Sequence, residues 1–306
     1  MNNTLTNRMQ WLDVAKGITI ILMVLGHTSI PKFVSDFIWA FHMPLFFIAS
    51  GWCTNWKREG VCKFITKKVN SLLLPFVVYS VIVLSINLLT GGGKFEDFLC
   101  KGWQGYALWF IPVLFFASVC SKLIMAIKQK NIQIILWVLM VTIGAILSYA
   151  KISFPWTIST VPYACFFIIL GSKLRKYQEY IISPHWWLLV GGFVVTFFVS
   201  HFCRLDMASN KITPVIITSI GACAGTAMIF TFSSYITKYT PYPSQILQVI
   251  GRETYLVLAL SQIIIILLNQ YFTFNSVTKY AMLVIILFVL KYVKDTINVM
   301  IGKKIL

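Results

Sequence analysis

Long apolar runs separated by short basic stretches make up this chain, and that pattern leaves few folds open. Ten such runs lie near 12–30, 37–55, 69–90, 106–127, 132–150, 156–172, 186–202, 212–236, 253–272 and 277–293. A membrane-crossing helix needs about 20 mostly apolar residues. The runs are too long and continuous for the short alternating strands of a membrane β-barrel. Only 9 of the 306 residues are acidic. A water-facing surface cannot be assembled from so few charges. The 24 Phe and 10 Trp rule out a disordered chain, because they would collapse. The predicted fold is all-α: a polytopic integral membrane protein, a single domain over 1–306, with about ten transmembrane helices.

The basic residues orient it. With the N-terminus in the cytoplasm, 18 of the 26 Lys and Arg fall on the inner side and 7 in outer loops. That asymmetry predicts both termini inside. The net charge of +17 reads as this bias facing anionic lipid, not as a nucleic-acid surface, because the charges sit in short loops. Seven scattered cysteines with no CxxC read as small apolar fillers, and no metal site is expected. Gly91-Gly92-Gly93 and Ser183-Pro184 punctuate the pattern. Lys291, Lys294 and Asp295 follow the last run and open either a continued span or an amphipathic tail.

Ionisable groups inside apolar runs are costly and mark candidate sites. The first run carries Asp13, Lys16 and His27. Lys16 and His27 are eleven residues apart, which on a helix is about 20° past three turns and about 16.5 Å along the axis. They share one face. Asp13 lies one turn from Lys16, close enough to pair with it. Lys16 either snorkels to lipid phosphates or serves a ligand. His27 suits proton transfer near neutral pH. Gly17 and Gly26 would let another helix or a ligand approach. The second run brings His42 toward the depth of His27, either as a partner or as an interfacial residue beside Trp39, with Pro44 expected to kink or loosen that helix.

The strings Asp13-Val14-Ala15-Lys16-Gly17, Gly26-His27 and Phe41-His42-Met43-Pro44-Leu45-Phe46-Phe47-Ile48-Ala49-Ser50-Gly51 resemble the acyltransferase-3 family of membrane acyltransferases. They look closest to its fucose-O-acetylase-like, polysaccharide O-acetyltransferase branch. Leu73-Leu74-Pro75-Phe76, Leu108-Trp109-Phe110-Ile111-Pro112, Pro162-Tyr163-Ala164-Cys165-Phe166-Phe167 and Ile250-Gly251-Arg252-Glu253-Thr254-Tyr255-Leu256 extend the likeness along the chain. Two positions depart from it. Many members carry Arg where Lys16 stands, and Ser261 occupies a position where this branch often has His.

The resemblance implies transfer of an acyl group, usually acetyl, from cytoplasmic acyl-CoA to a hydroxyl of a lipid-linked or surface carbohydrate such as O-antigen, capsule or exopolysaccharide. It also implies a multi-pass protein of a bacterial-type cytoplasmic (inner) membrane. His27 is then the general base, His42 orients it or handles a proton, and Asp13 tunes Lys16. Lys16, Lys67 and Lys68 are the candidate donor-binding residues. Trp109 either stacks on substrate or joins the aromatic belt, and Ser50 is a further substrate-side candidate. A multi-pass transporter or flippase for a glycan or small acid is the alternative, disfavoured by the lack of an internal repeat. The oligomeric state is left open.

Overall fold

The computed structural model describes residues 9–91, 107–183, 185–273 and 275–301. Arg8, Gly92, Gly93, Lys94, Cys100, Lys101, Pro184, Lys303 and Lys304 lie outside the described residues. Along the chain run α1 (Gln10–Gly26), α2 (Lys32–Trp39), α3 (His42–Cys53), α4 (Val61–Lys68), α5 (Leu74–Leu89), α6 (Phe110–Ala126) and α7 (Lys130–Tyr149). They are followed by α8 (Val161–Leu174), α9 (Gln178–Ile182), α10 (Trp186–Phe202), the strands β1 (Arg204–Asp206) and β2 (Lys211–Thr213), α11 (Val215–Tyr239), α12 (Pro241–Arg252), α13 (Thr254–Tyr271) and α14 (Ser276–Ile301). A helix occupies each of the ten apolar runs, and among the described residues seven helical stretches are both long and apolar enough to cross a membrane. The protein is an all-α polytopic membrane protein with one small hairpin added.

The core is a central pair of helices, α1 and α3, wrapped by the others. Trp11, Leu12, Val14, Ala15, Ile20 and Met23 of α1 are buried, as is nearly every side chain of α3. Two reciprocal glycine contacts set this packing. A Cβ on Gly51 of α3 would stand 1.8 Å from the Ile168 carbonyl oxygen, and one on Gly171 of α8 would stand 2.0 Å from that of Ile48. Likewise a Cβ on Gly17 of α1 would stand 2.2 Å from the Leu247 carbonyl oxygen, and one on Gly251 of α12 would stand 1.8 Å from that of Asp13. Small residues are how membrane helices bring backbones together when apolar surface alone gives no net drive. The outer helices expose apolar side chains instead, among them Ile135 and Val138 of α7, Phe193 and Phe198 of α10, and Val284 and Phe288 of α14. Exposed apolar surface of this extent suits lipid, not water.

Prolines start helices here. Pro75, Pro162 and Pro241 stand at the first or second position of α5, α8 and α12. There the missing N–H costs nothing. Pro44 belongs to the same class. The second run is interrupted at Ala40-Phe41, and α3 restarts at His42, so Pro44 lies in a first turn whose donors have no intrahelical partner. The break at Ala40-Phe41 falls at the carbonyl four residues before Pro44, where proline removes the helical bond, so the second run is loosened as this proline leads one to expect. Before Pro75 the chain widens into a π-helical turn, Val69–Leu73. Proline removes the bond to the carbonyl four residues back and crowds it, and a π-turn relieves both. Tyr255 donates from its hydroxyl to the Leu72 carbonyl at 2.8 Å, satisfying an acceptor there.

Two elements lie beyond the sequence-based expectation. Helix α12 precedes the ninth span and packs along α1. The β1–β2 hairpin pairs Arg204 with Thr213, Leu205 with Ile212 and Asp206 with Lys211. In addition, α14 runs unbroken through Lys291, Lys294 and Asp295 to Ile301, with Lys294 ion-paired to Glu253.

Candidate active site

Helix α1 has a cavity at each end. The larger, about 420 Å³, lies at its N-terminal end, where α1, α3, α4, the π-turn, α6 and α13 meet. Lys16, Arg58, Lys67 and Lys68 line it with one acid, Glu59, so its walls are strongly cationic. Glu59 engages Lys67 at 3.6 Å. Ser50, Phe46, Phe110 and Tyr255 also line it. The predicted residues Lys16, Lys67, Lys68 and Ser50 thus share one cavity.

Lys16 is held by its own helix. Its Nζ is 2.6 Å from the Asp13 carboxylate, whose second oxygen is 3.6 Å from Nε of Arg252 on α12. Asp13 is buried, whereas Lys16 is partly open to the cavity. Asp13 therefore orients Lys16 and ties α12 to α1. It is not among the residues lining either cavity.

Other cations of the loops act on backbone. Lys122, nearly fully buried on α6, donates to the carbonyls of Trp56 and Glu59, both at 2.6 Å. Arg175 donates to the Trp52 carbonyl at 3.2 Å, at the C-terminal turn of α3. These bonds hold the 54–60 segment that carries Arg58 and Glu59 into the cavity. Lys173 lies 5.1 Å from the Trp137 ring centroid.

The smaller cavity, about 30 Å³, lies at the other end of α1 and is lined by His27, Trp39, His42, Trp109, Asp206 and Met207 among others. That space admits a water or a hydroxyl group but not a sugar ring. His27 stands just past Gly26 at the cap of α1 and is exposed at the rim, not deep within the helix as its position in the first run suggested. His42 is buried below. Its Nδ1 lies 3.0 Å from the Ile38 carbonyl, which can only accept, so Nδ1 carries the proton and Nε2 of the neutral ring keeps its lone pair. Trp39 lies between the two imidazoles, with ring centroids 5.7 Å from His27 and 6.3 Å from His42. Trp109 is presented by a short turn, 107–109, pinned by the Ala107 N–H donating to Gln262 at 2.8 Å.

Aromatic rings partition the two cavities. Phe46 and Phe110 line the larger one and lie 5.9 Å apart; Trp109, on the smaller one, lies 6.3 Å from Phe110.

Asp206 is the member that sequence reading did not single out. It comes from the hairpin, in an outer-loop stretch that carries no periodic signal. The hint available was one of only nine acidic residues placed in a short loop between two spans.

A family model, described as an acyltransferase domain, matches residues 9–293. No curated protein and no solved structure matches the chain. The matched region includes both cavities and every residue named in them, and the chain belongs to the acyltransferase-3 family of membrane acyltransferases.

Proposed function

We propose that the protein moves an acetyl group from cytoplasmic acetyl-CoA to a hydroxyl of a lipid-linked or surface carbohydrate, as a multi-pass protein of a bacterial-type inner membrane. One observation carries the reading: a single helix delivers Lys16 into a cationic cavity at one end and His27 into a hydroxyl-sized pocket at the other. Coenzyme A carries several phosphate charges, and Lys16, Arg58, Lys67 and Lys68 supply the opposite charge. The pantetheine arm runs along α1 over the roughly 16.5 Å separating Lys16 from His27. The thioester reaches the pocket between Phe46, Phe110 and Trp109, and Trp39 and Trp109 border the acceptor.

At the pocket His27 removes the proton of the sugar hydroxyl. The oxygen attacks the thioester carbonyl, the new C–O bond forms, and the C–S bond breaks. The departing CoA thiolate takes the proton from the imidazolium. His42, buried with its tautomer set by Ile38, supports His27 through Trp39.

Membranes carrying wild-type or His27→Ala protein, supplied with tritiated acetyl-CoA, test this. Label enters glycan in the wild type and falls by about 100-fold or more in the variant, the range for loss of a general base. Equal labelling removes His27 from the chemistry.

A further inference from the structure

The pocket holds two imidazoles, and its geometry distinguishes them through a third group. We propose that Asp206 is the positioning residue of His27: its carboxylate orients that ring and stabilises the imidazolium formed when the ring takes a proton. This rests on the acyl-transfer reading above.

Asp206 is 6% exposed. A buried carboxylate is costly unless a cation or donors meet it. Its Oδ1 accepts the Ser209 N–H at 3.1 Å, which closes the hairpin turn. Its Oδ2 lies 3.7 Å from Arg204, beyond hydrogen-bond length. Arg204 is also mostly exposed, so water screens that pair. Asp206 lines the same cavity as His27, which places its charge beside that pocket.

The hairpin is built to hold this carboxylate still. The Thr160 hydroxyl donates to the Met207 carbonyl at 2.7 Å, and the Asn210 amide donates to the Ile152 carbonyl at 2.9 Å. The Ser148 hydroxyl donates to the Asn210 carbonyl at 2.9 Å and accepts the Ile212 N–H at 2.8 Å. Asn210 takes a left-handed backbone with φ of 51°, tolerated best by Asn and Gly. Four bonds thus tie the hairpin to α7, the 150s segment and the approach to α8. They fix Asp206 from outside the α1–α3 pair that carries the imidazoles.

The other charged or titratable groups around His27 do not duplicate this role. His42 on α3 is committed to Ile38. Lys32 and Asp36 on α2 pair with each other at 2.5 Å. Arg204 lies 6.0 Å from the Trp39 ring centroid. Among the described residues lining the pocket, Asp206 is the one carboxylate. It remains ionised throughout: the proton passes from the sugar hydroxyl to His27 and on to the CoA thiolate. The carboxylate thereby selects His27 over His42 as the base.

The test uses the full chain in membranes with tritiated acetyl-CoA, comparing wild type, Asp206→Asn, Asp206→Glu and His27→Ala. Asn preserves the turn-closing acceptor but removes the charge. For Asp206→Asn, kcat falls by about 100-fold or more while KM for acetyl-CoA stays within about twofold, and Asp206→Glu recovers at least about tenfold. Equilibrium binding of tritiated acetyl-CoA to the solubilised protein checks that the bundle is intact, and it is unchanged in Asp206→Asn. Transfer by Asp206→Asn within about twofold of wild type overturns the proposal. So does a parallel loss of donor binding and transfer, which marks a purely structural carboxylate. Full transfer by His27→Ala overturns the acyl-transfer mechanism itself, whereas loss in His27→Ala with an unaffected Asp206→Asn ends only the role of Asp206.

Discussion

The carboxylate of Asp13 lies 2.6 Å from the ammonium of Lys16, and the same carboxylate reaches Arg252 at 3.6 Å. The pair has unequal members: Asp13 is buried and Lys16 opens to the cationic cavity. Removing the cation therefore takes an ion-pair partner at 2.6 Å from a buried carboxylate, while removing the acid leaves two cations that reach water. Lys16→Met should destabilise by about 2–3 kcal/mol and Asp13→Asn by about 1–2 kcal/mol, with the double variant no worse than Lys16→Met alone. Thermal unfolding of the detergent-solubilised chain measures this order. The reverse order would place the burial cost on the wrong partner.

The glycine contacts give a second prediction. A Cβ at Gly251 meets the Asp13 carbonyl oxygen at 1.8 Å, a rigid backbone atom, whereas one at Gly191 on α10 meets nothing within 4 Å. Gly251→Ala should cost about 1–3 kcal/mol as α12 is pushed off α1. Gly191→Ala should be neutral or gain up to about 1 kcal/mol from helix propensity. Melting temperatures of the two variants separate the cases, and equal effects would contradict the α1–α12 packing.

The cationic wall predicts a kinetic split. Arg58→Gln, Lys67→Gln and Lys68→Gln should each raise KM for acetyl-CoA by about 3–10-fold, with kcat within about twofold. Added salt should weaken wild-type donor binding in the same direction, since screening acts on partly exposed charges. Initial rates over a donor series check both. A loss confined to kcat would move these residues from binding to chemistry.

On the proposed route the thioester passes the aromatic partition, which should then set acyl length. Phe110 touches Phe46, Phe47 and Trp109, with centroids between 4.8 and 6.3 Å. Phe110→Leu keeps the packing apolar but opens the partition. The ratio of butyryl to acetyl transfer should rise by about tenfold, because each methylene in an apolar pocket is worth about 1–3 kcal/mol. Competition between the two labelled donors reads this directly. An unaltered ratio would mean that the acyl group does not pass these rings.

Much of this arrangement is legible in the sequence, for identifiable reasons. The apolar runs report burial in lipid directly, so the helices follow from them. Lys16 and His27 fall toward opposite ends of α1 because they stand eleven residues apart, and Lys67 and Lys68 line one cavity with Lys16 because basic loop ends gather on one side. What the sequence conceals depends on contacts distant along the chain. Asp206 acquires its position from Ser148 and Thr160, on segments about 50 residues away, through hydrogen bonds that no local pattern announces. Lys122 and Arg175 look like ordinary positive-inside charges until their carbonyl partners are seen. Pro44 announces that the second run is loosened, but not the packing of Phe41 against Gly225 and Phe37 at the break itself.

The central claim, that one donor spans α1 from the cationic cavity to His27, is tested most directly by a cryo-EM structure of the full chain with a non-hydrolysable acetyl-CoA analogue. The phosphates should lie against Lys16, Arg58, Lys67 and Lys68, and the acyl carbon beside His27 with the rings of Phe46 and Phe110 parted. An analogue seated outside that cavity, or one whose acyl end stops short of His27 with the rings closed, would contradict it.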